Sequence, residues 1–235
     1  MDPQLELDRT SYPAFRDAVL QAEARGDAAP QEPRCYPGYP RVALERVRPR
    51  WWPSLDRVLA RRRSVRRLAT RLPSRRRLSR LLQISHGLTG PHWSGPAPSS
   101  GGLQALELYL ATLVPGWLEE GVYHYDRCAY CLARVVERAP EWGKLVPSLG
   151  LVDGGALLWV LVGDLERVRR KYGERSVRFL LQESGHLMQN LCLASASLGM
   201  ATVPLGGYFE RAIAQGLTLP ETDLVLYVGV AGEVR

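Results

Sequence analysis

Apolar residues at Leu55, Val58 and Leu59 recur at helical spacing behind Ser54, whose hydroxyl can accept from the first free N–H groups. They predict a helix that begins at Ser54 and runs into an arginine cluster. Ser74 caps a second predicted helix, with Leu78, Leu81 and Leu82 turned inward and an end near Gly87. From Gly90 to Gly102 the chain is rich in Pro, Ser and Gly and reads as loop. Leu106 to Val114 alternates and carries strand formers, and Gly121 to Asp126 is the strand expected to pair with it across Pro115 and Gly116. A helix is expected from Cys131 to Arg138. Ala156 to Val162 is a continuous apolar run of strand length, as in a strand covered on both faces. Leu165 to Tyr172 reads as a charged helix. Ser176 to about Leu198 reads as the longest helix, apolar on more than one side and so buried in a core or between subunits, with Gly199 as its stop. Leu224 to Val230 is the last expected strand.

Strands and helices mixed in this order, with an early hairpin, predict an α+β fold with a mostly antiparallel central sheet flanked by helices. A chain of 235 residues that is 46% hydrophobic can bury one full core, assigned here to a single domain over 51–235. Residues 1–50 read as an N-terminal arm. A short helix around Ala14 to Ala24 is followed by Pro30, Pro33, Pro37, Pro40 and Pro49, spacing that favours extended chain draped over a surface.

No run approaches the roughly 18 to 20 apolar residues of a membrane span. The acidic start, Met1 to Glu6, lacks the pattern of a secretory signal, so a cytoplasmic location is expected. Cys35 and Cys192 are isolated, and Cys128 with Cys131 forms one CxxC without a second pair or histidines at ligand spacing. Two reduced thiols near a helix start are expected there, and no metal site. Glu183 and His186, three apart on the long helix, are given a structural role.

The formal charge of +7 is local, with 12 arginines between Arg50 and Arg80. Such a cluster can grip a phosphate backbone. It lacks interleaved aromatics and any RNA-binding or zinc-finger spacing, which argues against a polynucleotide partner. A small anion fits better. Arg62-Arg63-Ser64-Val65-Arg66 concentrates charge and a hydroxyl at what reads as a helix start, and Pro98-Ser99-Ser100-Gly101-Gly102 is a tight loop able to press on a flat ligand. A group anionic at one end and planar at the other would satisfy both, and flavin mononucleotide (FMN) has that shape.

Together the motifs are fairly specific. Arg61 to Arg66 is followed by Pro98 to Gly102 leading into Glu107-Leu108-Tyr109, and then by Gly121 to Asp126. Lys171-Tyr172-Gly173, Glu183-Ser184-Gly185-His186, Gln189-Asn190-Leu191, Leu198-Gly199-Met200 and Gly206-Gly207-Tyr208-Phe209 come after them in order. The chain resembles the FMN-dependent nitroreductase superfamily, and within it the SagB-type dehydrogenases, which oxidise azoline rings to azoles in modified peptides. The resemblance spans roughly Ser54 to Gly232. Two departures stand out: Gln104-Ala105 replaces a more usual Tyr-Pro, and the last strand as read does not end in a basic residue.

The resemblance implies a nitroreductase-like fold, an interlocked homodimer and FMN as cofactor. Arg62, Arg63 and Ser64 would hold the phosphate, and Arg66, one turn on, would reach the pyrimidine edge. Pro98, Ser99 and Ser100 would face the ring or ribityl chain from the neighbouring subunit. Leu205, Gly206 and Gly207 would offer backbone N–H groups near flavin N5, where glycine lets the main chain come close. Lys171 and Tyr172 match the catalytic Lys-Tyr pair, with the lysine as base if burial or the nearby Arg169 and Arg170 lower its pKa. The substrate implied is a peptide-derived or carrier-bound heterocycle, with a cyclodehydratase as candidate partner. Two alternatives remain at this point: an NAD(P)H-dependent nitroreductase-like reductase, and a non-catalytic flavin fold or arginine-rich nucleic-acid binder.

Overall fold

The computed structural model describes residues 31–47, 53–90 and 92–235. The helix expected around Ala14 to Ala24 lies outside them. Seven strands form one sheet in the order β1-β4-β3-β2-β5-β7-β6, every neighbouring pair antiparallel. The strands are β1 (Arg41–Ala43), β2 (Leu106–Thr112), β3 (Val122–Asp126), β4 (Cys131–Val136), β5 (Leu157–Asp164), β6 (Met200–Leu205) and β7 (Asp223–Glu233). The longer helices are α1 (Leu55–Arg61), α2 (Arg75–His86), α4 (Leu165–Tyr172), α5 (Ser176–Ser197) and α6 (Glu210–Gly216), and α3 (Trp142–Leu145) is a single turn.

Alternation along β5 shows why the sheet is central. Leu157, Trp159 and Leu161 join Leu78, Leu81 and Leu82 of α2 and Leu180, Leu187 and Leu191 of α5 in one buried cluster. Leu158, Val160 and Val162 face the other way, with Trp142, Val146 and Ile213. Truncating a fully buried leucine such as Leu187 in a cluster of this kind costs about 2–5 kcal/mol.

Most expected elements stand. Ser54 and Ser74 cap α1 and α2 as predicted, accepting from the N–H groups of Arg57 and Arg77. The longest helix ends before Gly199, which takes φ 71°, a conformation that costs other residues energy. One assignment fails: Cys131 to Arg138 is not helical, because Cys131–Val136 forms β4. Asp126 accepts from the Ala129 N–H and Tyr130 takes φ 52°, a tight turn that returns the chain antiparallel to β3. The β-branched pair Val135-Val136 suits a strand better than a helix end. The CxxC therefore spans a hairpin turn and a strand start, and all four cysteines are free. No helix among the described residues is long and apolar enough to cross a membrane.

The described part of the arm lies on the sheet. Its β1 extends the edge beside β4, and Arg34 forms a two-armed ion pair with Asp223 at the start of β7. Tyr36 shares a hydrogen bond with the buried Tyr109 hydroxyl at 2.6 Å.

Candidate functional site

The loop before β2 is shaped from three sides. Within it, the N–H groups of Gly102 and Leu103 donate to the carbonyls of Ser99 and Ser100, and the Gln104 N–H donates to Ser99 Oγ at 2.8 Å. Gly101, Gly102 and Gln104 all take positive φ, which glycine tolerates at the first two positions. From α5, the buried Glu183 accepts the Ser100 N–H at 3.3 Å, and His186 Nδ1 lies 3.4 Å from the Pro98 carbonyl. Burial pushes the Glu183 carboxyl up, against the pull of its Ser100 and Ser99 hydrogen bonds. From α4, Arg167 donates to the Gln104 carbonyl at 2.9 Å.

Four residues beyond Arg167, and so on the same face of α4, stands Lys171. A Cβ added at Gly101 would collide with the Tyr172 hydroxyl and come within 2.9 Å of Lys171 Nζ. The Lys-Tyr pair and the Pro98–Gly102 loop, 70 residues apart in sequence, are thus in direct contact. Tyr172 is braced edge-on by Phe179 with ring centroids 4.7 Å apart, and Lys171 Nζ lies 5.7 Å from the Tyr172 ring centre. Both side chains are half-buried.

The arginine segment differs from its expected form. It is not a helix start: Arg62 is the C-cap of α1 and the chain leaves the helix there, so Arg66 is not one turn on from Arg62. A helix cannot continue because the backbone is taken up elsewhere. Arg66 and Leu68 exchange hydrogen bonds with Asp153, and the Ala69 N–H donates to Glu233 at the end of β7. Arg63, Ser64 and Arg66 are exposed and Arg62 half-buried. No described carboxylate forms an ion pair with Arg62, Arg63 or Arg66. The segment neighbours the later part of α5: burial pushes the Cys192 thiol up to about 11, with Arg62 pulling the other way. The loop contacts α5 at 183 and 186, so the two groups are spaced along that helix by roughly 9–14 Å at 1.5 Å per residue.

The third predicted group lies at the end of β6. A Cβ at Gly206 would meet open space, whereas the Gly207 N–H donates to Ser148 Oγ and its carbonyl accepts from the same hydroxyl at 2.8 Å. Only Leu205 and Gly206 keep N–H groups outside that Ser148 clasp.

Two features escaped the sequence reading. Glu183 and His186 hold the loop rather than merely lining a helix interface. A basic residue also follows the last strand, since β7 runs to Glu233 and Arg235 then donates its N–H to the Arg67 carbonyl beside the arginine segment. Extending the strand three residues past Val230 would have exposed it. Among the described residues no group of His, Cys, Asp and Glu could hold a metal ion.

Comparison with known proteins agrees with this architecture. Residues 59–232 match the Nitroreductase family. A protein of Methanocaldococcus jannaschii described as a candidate nitroreductase is 30% identical over 174 residues, 73% of this chain and 88% of that protein. A candidate nitroreductase structure from Ralstonia eutropha superposes with TM-score 0.73 at 21% identity, covering 91% of this chain and 98% of that one. A chain of the Escherichia coli microcin synthetase McbBCD complex with truncated pro-MccB17 bound gives 0.66 at 20% identity, covering 100% and 95%. A candidate nitroreductase from Exiguobacterium sibiricum in complex with FMN gives 0.53 at 16% identity, covering 77% and 89%. With the family pattern spanning most of the chain and the antiparallel sheet built as described, the protein belongs to the nitroreductase family of oxidoreductases.

Proposed function

We propose that this chain is an FMN-dependent dehydrogenase that oxidises an azoline-type ring to an azole in a peptide-derived or carrier-bound intermediate, acting as a homodimer. The observation that carries the reading is the contact of Lys171 and Tyr172 with Gly101. The residues fit the cofactor on two counts. Arg62, Arg63 and Arg66 have no described carboxylate to neutralise them and lie beside Ser64, a donor set suited to a phosphate. Gly206, where a Cβ would meet only open space, lacks the side chain that would keep a planar ring at a distance.

In the proposed reaction one azoline carbon loses a proton and its neighbour a hydride. FMN, when bound, supplies the hydride acceptor. Lys171 would take the proton from the ring carbon, and the Tyr172 hydroxyl beside it would orient the ring or relay that proton. Arg62, Arg63 and Ser64 would hold the phosphoryl tail, and Arg66 would add a donor for the cofactor. Pro98, Ser99 and Ser100 would face the ring or ribityl chain of the cofactor held by the neighbouring subunit. That division suits a chain whose arginines and loop sit at separate points of α5. The fold likeness to a chain in a synthetase complex holding truncated pro-MccB17 supports a peptide-derived substrate and a cyclodehydratase partner.

The visible absorption spectrum of the purified protein tests the cofactor: a flavin band is expected, and colourless protein that cannot be reconstituted with FMN would refute the reading. The M. jannaschii relative favours a second reading, an NAD(P)H-dependent reductase. Rapid bleaching of the yellow protein by NAD(P)H, without turnover of a thiazoline peptide, would select it.

A further inference from the structure

Two well-covered guanidinium groups of this fold meet carboxylates directly. Arg34 pairs with Asp223, and Arg167 with Asp164 and Glu107. Arg127, at the end of β3 and only 4% exposed, does not. Its Nε donates to the His86 carbonyl at 2.8 Å, and its Nη2 to the Trp93 carbonyl at 3.0 Å and to Gln104 Oε1 at 3.2 Å. All three acceptors are neutral. No described carboxylate lies within ion-pair distance of it, and the buried Glu107 and Glu183 act on it only from farther off. Burial has already loosened its hold on its proton.

Arg127 forms one wall of an open cleft of about 130 Å³, shared with Arg46, Gln83, Cys128 and Tyr130. No carboxylate lines this cleft. Arg46, also in the lining, has its guanidinium carbon 5.7 Å from the Tyr130 ring centre and no ion pair with a described acid. The Tyr130 hydroxyl is turned away, donating to the Ser79 carbonyl at 2.8 Å. The cleft thus offers two arginines and an amide, with no acidic side chain in its lining.

We propose that this cleft binds a small oxyanion group, a carboxylate or a phosphate, held between Arg127 and Arg46. The inference rests on the cleft alone and not on the azoline reading. Its occupant would also brace the candidate site, because Arg127 fixes Gln104, whose N–H and carbonyl hold Ser99 and Arg167.

Cys128, half-buried in the cleft wall, is a built-in reporter. The holoprotein is alkylated with the uncharged reagent N-ethylmaleimide, and modification of Cys128 is followed by peptide mass mapping, separately from the exposed Cys35. Three solutions of equal pH and ionic strength are compared: sodium chloride, inorganic phosphate, and N-acetyl-aspartate amide as a peptide carboxylate. At about 10 mM, a millimolar site is nearly filled and Cys128 labelling slows about tenfold. Protection by phosphate alone identifies a phosphate site, and protection by the aspartate alone a peptide carboxylate site. Protection by both supports the oxyanion class. Arg46→Ala should abolish protection while flavin content and melting temperature stay unchanged. Equal labelling in all three solutions, or unchanged protection in Arg46→Ala, overturns the proposal.

Discussion

The loop at Pro98–Gly102 and the arginine segment at 62–66 are built on opposite plans. The loop is bonded on every side: Ser99, Ser100 and Gln104 engage one another, α5 grips it through Glu183, and α4 leans on it through Arg167 and the Lys171-Tyr172 pair. In the arginine segment the backbone is fixed by Asp153 and the end of β7 while the side chains stay largely uncommitted. One region is organised before anything binds, and the other keeps its charge for an anion. Surfaces that shape a reaction gain from preorganisation. Surfaces that hold a flexible phosphoryl tail gain more from unspent charge-assisted donors.

That contrast can be broken at several points. The largest effect is expected for Lys171→Ala, which should lower turnover of a thiazoline peptide about 10²–10⁴-fold, the usual range for a lost general base, while the flavin band persists. Normal single-turnover oxidation by this variant would remove Lys171 from the chemistry. Next, Arg62→Ala and Arg63→Ala should each weaken FMN binding roughly ten- to a hundredfold, as the loss of one charge-assisted bond implies. The melting temperature of the apoprotein should hardly move, since neither side chain pairs with a described acid. A large drop in apoprotein stability would show that these arginines are structural after all.

Gly101→Ala should fall between these and the smallest case. The left-handed backbone costs alanine about 1–2 kcal/mol, and the new methyl would push Tyr172 and Lys171 aside. Turnover should drop with FMN retained, and urea unfolding would measure the stability loss. The smallest change is expected for Glu183→Gln, which keeps an acceptor for the Ser100 N–H. Because burial raises the Glu183 carboxyl in the folded protein, its contribution to stability is full below the unfolded value of about 4.5 and is lost as pH climbs through the folded value. The glutamine variant should flatten that part of the stability–pH curve, and an unaltered curve would mean that the loop clamp does not titrate as described.

Elements with one dominant period were readable from sequence, as with the caps at Ser54 and Ser74, the apolar run of β5 and the long α5. The segment Cys131–Val136 was not, because six residues of mixed character carry too little periodicity to separate helix from strand, and pairing with β3 decided the matter. β6 was not legible either, because Pro204 within Met200–Leu205 argues against a strand and is tolerated only at a sheet edge, which is where β6 lies. Within the site, residue types were legible: a basic run, a small-residue loop and a Lys-Tyr pair. Their contacts were not.

The amino-acid order alone determined which groups this protein could bring to a reaction, and that a buried antiparallel sheet would carry them, because hydrophobic period and side-chain chemistry are local properties. Only the tertiary structure decided that Lys171 and Tyr172 touch Gly101, that Glu183 fastens the same loop, and that Arg127 is left facing neutral oxygens. Those facts depend on where strands and helices far apart in the chain come to rest, and that is fixed by packing across the sheet.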